Sequence, residues 1–129
     1  MKVARRSVTI RKRADAAGIT VRCGDTTLGT VTGLSGDADS GMSGLFNHAP
    51  AYVEYTERFL ALARAVNGGP DQAGEVARLS AENERVGVHV HHDIHDMRID
   101  APETLAIVAG EVRFRATDAF LMMRTGGLG

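Results

Sequence analysis

Tryptophan is absent from this sequence, and four phenylalanines and two tyrosines are its whole aromatic complement. A core with so few large rings has to be assembled mainly from Val, Ile, Leu, Ala and Met, which bury less apolar surface per residue. Fifteen glycines add backbone entropy that folding must overcome. Both features point to a homo-oligomer, in which copies complete one another's cores. Cysteine occurs once, at Cys23, which excludes an internal disulfide and suits a reducing, cytoplasmic setting. Cys23 itself reads as a core residue, because it shares a strand face with Ile19 and Val21. No apolar run approaches the roughly 18 residues of a membrane span, and none follows the N-terminal charges as a secretory signal would. Walker loops, a GxGxxG after a strand and a GxSxG are missing too.

What is present fits one domain over residues 1–129, with ordinary apolar and charged fractions. The net charge of −1 hides an uneven distribution. In the first 22 residues Lys2, Arg5, Arg6, Arg11, Lys12, Arg13 and Arg22 oppose Asp15 alone. Between residues 23 and 111, fourteen carboxylates outnumber five arginines. Arg113, Arg115 and Arg124 restore positive charge near the end. Arg5, Arg11 and Arg13 fall on one face of a strand, and Arg113 and Arg115 on one face of another. If those strands are neighbours, five guanidiniums form an anion-binding surface for phosphate or carboxylate. The alternative is a set of solvated edge charges that discourage edge-to-edge pairing. The near-neutral total argues against a dedicated DNA-binding domain.

Alternation around Val8 and Ile10 predicts a strand over Val3 to Lys12, and Ile19, Val21 and Cys23 predict the next. Gly24-Asp25 before Thr26-Thr27-Leu28 is a two-residue hairpin signal. Glycine, serine and aspartate dominate residues 33–46, which read as a loop. Its Asp37, Asp39 and Gly41 lack the terminal Glu that a calcium loop needs. Pro50 opens a helix whose stripe is Tyr52, Tyr55, Phe59, Ala63 and Val66, with Glu54 and Arg58 spaced to pair. Gly68-Gly69-Pro70 ends it, and a second helix over about residues 71–84 carries only Ala73, Val76, Ala77 and Leu79 as apolar matter. Strands are predicted from Val86 to Ile94, Leu105 to Ala109 and Glu111 to Ala116, with helix and strand both open for the tail from Ala119. The fold class is α+β: an N-terminal β-meander, a helical hairpin, then a C-terminal antiparallel set of strands.

The run from Val88 to Asp96 holds four of the five histidines. Strand alternation puts His89, His91, Asp93 and His95 on one face and Val88, Val90, His92 and Ile94 on the other. Imidazoles two residues apart can converge on one ion, so a divalent transition metal is the cofactor this pattern points to. A plain polar stripe, or an interface that responds to pH, uses the same residues.

Three resemblances attach to these segments. His89-Val90-His91-His92-Asp93 resembles the opening of the metallo-β-lactamase motif HxHxDH, but Ile94 stands where the motif has His. Glu103 to Gly110 resembles the E-x6-G half of a cupin motif, but eleven residues separate His91 from Glu103 where cupins have three or four. Neither active site carries over. Over residues 19–66, a short hairpin, a Gly/Asp/Ser loop and His48-Ala49-Pro50 opening an amphipathic helix are similar to small phage and prophage accessory proteins. That resemblance implies a homo-oligomeric accessory protein that binds a protein or nucleotide partner without catalysis. The competing expectation is a metal-binding protein or small metal-dependent enzyme using His89, His91 and His95.

Overall fold

In the computed structural model, which describes residues 18–126, alternating small apolar residues build one curled antiparallel sheet. Its strands are β1 (Ile19–Cys23), β2 (Thr26–Asp37), β3 (Gly41–His48), β4 (Val88–His92), β5 (Met97–Arg98), β6 (Ala106–Val108) and β7 (Glu111–Phe114). They lie in the order β5-β4-β1-β2-β3-β7-β6. The chain just past β5 then meets the chain just past β7: Ala101 N donates to Arg115 O at 2.7 Å, and Thr117 N donates to Ile99 O at 2.9 Å. Asp100 and Ala116 form the bridge between them, so the sheet bends back on itself around its apolar face.

That face holds Val21, Leu28, Val31, Met42, Val90, Ile99, Val112 and Phe114, all buried, in one cluster closed by Phe59 and Phe120 from helices. Cys23 packs against the cluster as its strand face predicts. The fold class is α+β, as the sequence indicates. The predicted strand over Val3 to Lys12 lies outside the described residues.

The predicted loop over 33–46 is instead most of a β-hairpin. Glycine and serine give that stretch no apolar alternation, but the backbone ladder needs none. Gly33 and Gly36, at φ +65° and +132°, bring the bent strand past the register shift between Thr32 and Ser35. A Cβ on Gly36 would lie 2.1 Å from Gly41 O, so no other residue fits that close approach. Asp37 closes the turn by accepting from Ser40 N at 2.7 Å and Ser40 Oγ at 2.8 Å. Those bonds hold its carboxyl below the ordinary range, and its role here is to shape the turn.

Pro50 opens a 3₁₀ segment, Pro50–Tyr55, before the α-helix proper, α1 (Thr56–Asn67). The change from three to 3.6 residues per turn shifts the buried stripe. Phe59, Leu62 and Ala65 are buried, whereas Ala63 and Val66 of the predicted stripe are only half-buried. Arg58 turns away from Glu54 and donates to Asn83 Oδ1 at 3.1 Å on α2 (Ala73–Val86), so the two helices form the predicted hairpin through a polar contact. The residues α2 buries are Ser80 and Asn83 rather than an apolar stripe. The tail forms α3 (Asp118–Gly126): Thr117 Oγ1 caps it by accepting from Phe120 N at 3.2 Å, and Phe120 is buried. Among the described residues no helix is long and apolar enough to cross a membrane.

Candidate functional site

Two clusters gather the chemistry. The first lies where the β2–β3 hairpin meets β7. Ladder pairing sets Ser43 opposite Arg113, and Arg115 follows just past the strand end. A cavity of about 490 Å³ opens there, bounded by Ser35, Ser40, Ser43, Thr104, Arg113 and Arg115. Gly36 and Gly41 also border it, leaving the hairpin backbone uncovered by side chains. Arg113 Nε donates to Glu111 Oε1 at 2.6 Å, an ion pair about half exposed on both sides. Arg115 Nη2 donates to the neutral Ala38 carbonyl at 3.1 Å, so its charge is not neutralised by that contact. Arg113 and Arg115 thus border one cavity, although β7 ends at Phe114 rather than at Ala116 as the alternation predicts. Arg5, Arg11 and Arg13 lie outside the described residues.

The second cluster covers the outward face of β1, β4 and β5. The register sets Arg22 opposite His89, Thr20 opposite His91, and His91 opposite Arg98. His89 and His91 share this face, with ring centroids 5.5 Å apart and planes at 78°. His89 Nδ1 lies 2.9 Å from Gly87 O, and His91 Nε2 lies 3.0 Å from Asp96 Oδ1.

The other two members of the predicted set do not join the two rings. The strand stops at His92 rather than Ile94, and the turn from Asp93 to Asp96 ends the alternation. Asp93 folds back to accept from Thr20 Oγ1 at 3.1 Å and Arg22 Nη2 at 2.7 Å. The His95 ring lies 4.9 Å from the His92 ring, centroid to centroid. Among the described residues no three His, Cys, Asp or Glu side chains are gathered as ligands for one ion.

Sequence reasoning missed the group that anchors this face. Arg98 makes a two-pronged ion pair with Glu84, its Nη2 lying 2.7 Å from Oε1 and its Nη1 donating to Oε2. The same guanidinium reaches Asp100, with Nε 2.9 Å from Oδ1 and Nη2 3.2 Å from Oδ2. Asp100 is completely buried, and its Oδ1 also accepts from Val90 N at 2.8 Å, standing in for a strand carbonyl. Burial pushes the Asp100 carboxyl up from its ordinary value, against the opposing pull of Arg98 and the Val90 amide. Arg98's hydrogen bonds pull Glu84 down, and Glu84 in turn raises Arg98. The alternation Arg98-Ile99-Asp100 was the available signal, but no periodicity says that one of two same-face charges will be buried.

Compared with protein-family models, curated proteins and solved structures, the chain matches none of them.

Proposed function

We propose that this chain is a non-catalytic accessory protein that binds an anionic group, phosphate or carboxylate, of a protein or nucleotide partner between the β2–β3 hairpin and β7. The observation that carries this reading is the placement of Arg113 and Arg115 on one cavity with four hydroxyl side chains. Guanidinium groups present planar paired donors that match phosphate and carboxylate oxygens. They stay protonated at any physiological pH, so they hold charge rather than move protons, which favours binding over catalysis. The Ser35 and Ser43 hydroxyls add donors that rotate to suit the ligand, whereas Ser40 donates to Asp37 and Thr104 to the Ala101 carbonyl. Gly36 and Gly41 let an anion approach the backbone closely.

Calorimetric titration with inorganic phosphate, pyrophosphate and ADP tests the reading. Saturable binding that weakens with added salt, and that is lost in R113E/R115E with an unchanged circular dichroism spectrum, supports it. Absence of saturable binding of all three, or binding that the double reversal leaves intact, refutes it.

A further inference from the structure

We infer that His89 and His91 bind one divalent transition-metal ion, of the nickel, copper and zinc class, on the outer face of the sheet. This site is separate from the Arg113 and Arg115 cavity and shares no lining residue with it. The two residues are neighbours on one strand face because β4 runs unbroken from Val88 to His92. Their ring centroids are 5.5 Å apart. An ion about 2.0–2.1 Å from one nitrogen of each ring, at a tetrahedral angle, separates the centroids by about 5 Å. The two rings therefore already stand close to the spacing that a shared ion imposes.

The second argument is the protonation pattern. The Gly87 carbonyl can only accept, so His89 Nδ1 carries the proton and leaves the Nε2 lone pair open. The Asp96 carboxylate likewise accepts from His91 Nε2 and leaves Nδ1 as the donor to a metal. One imidazole backed by a carbonyl and another backed by a carboxylate is how metal-ligating histidines are held in tautomer and orientation. Asp96 occupies the left-handed region at φ +49° in the turn that brings it there, a conformation aspartate tolerates better than most residues.

The third is charge. The Asp96 carboxylate lies on the His91 ring and Glu84 lines the cavity beside both rings, and their negative charge favours a cation there. A cavity of about 360 Å³ beside the rings, bounded also by Glu84, Gly87 and Arg98, gives water room to complete the coordination. Glu84 is held by Arg98 and stays outside the ligand set. Asp93 and His95, grouped with these histidines by alternation, take no part.

The test uses the whole chain, purified without an affinity tag and stripped with a chelator, then titrated with Zn²⁺, Ni²⁺ and Cu²⁺ at neutral pH. The expected result is one ion per chain, with Cu²⁺ tightest. Imidazole NMR signals of His89 and His91 should shift while that of His48 does not. Ligands must be deprotonated, so affinity should fall on acidification. H89A and H91A should each abolish binding, and H95A should retain it. D96N should weaken binding by about 10–100-fold, because Asp96 orients a ligand without being one. Absence of saturable binding, binding that survives both H89A and H91A, or binding that needs His95 overturns the site. R113E/R115E should leave metal binding untouched, so the two proposals fail separately.

Discussion

Replacing Asp100 by alanine should be the most damaging single change on the histidine face. The wild-type carboxylate accepts from a main-chain donor, Val90 N, and from two nitrogens of Arg98, with no water access to its side chain. Without it the buried Val90 amide has no acceptor, which costs about 1–3 kcal/mol. Arg98 loses one of its two carboxylates but keeps Glu84. Because Arg98 is about one-third exposed, water recovers part of that loss, which we take as about 1–2 kcal/mol. Together these give a destabilisation of about 2–5 kcal/mol, which spans the range for breaking one side of a buried pair. Urea unfolding followed by circular dichroism measures it directly. In a chain of this length the same loss lowers Tm by roughly 10 °C or more. Asp100→Asn should fall between, since it keeps an acceptor for Val90 N but turns a donor towards Arg98. An Asp100→Ala variant within 1 kcal/mol of wild type would refute the reading of Asp100 as a substitute strand carbonyl.

Glu84 predicts the acid side of the stability profile. Its folded pKa lies below the unfolded one, so its contribution is present above the ordinary Glu value of about 4.3 and is lost as pH falls through the lower folded value. Asp100, shifted the other way, gives the opposite slope, so Glu84→Gln should be less stable than wild type near neutrality yet lose less on acidification. Urea midpoints collected from neutral pH down into the acid range check this, and parallel profiles for the two proteins would contradict it. The homo-oligomer expected from the sparse aromatic content is checked by solution mass. Light scattering at tens of micromolar should give at least a dimer mass, and a monomer mass would remove that expectation.

Local pattern was enough where a residue's role depends on its immediate neighbours. Ile19, Val21 and Cys23 alternate and form β1; Gly24 takes φ +60° in the two-residue turn that follows. Pro50 and Gly68-Gly69-Pro70 bracket the first helical arm because proline and glycine act on their own backbone. His89 and His91 are adjacent on β4 for the same reason, since alternation within one strand is a local property.

Tertiary structure decided what depends on partners distant in sequence. The β2–β3 hairpin is held by a ladder of backbone hydrogen bonds, which a Gly/Ser stretch supplies as well as any other and does not advertise. Burial of Phe120 against strands from the rest of the chain, together with the Thr117 cap, selects helix for a tail without clear period. His95 leaves the histidine face because β4 must turn at Asp93 to pair with β5, and alternation stops where a strand does. Arg98 and Asp100 differ in burial because the chain beyond β5 meets the chain beyond β7, a closure made between residues that no window of sequence compares.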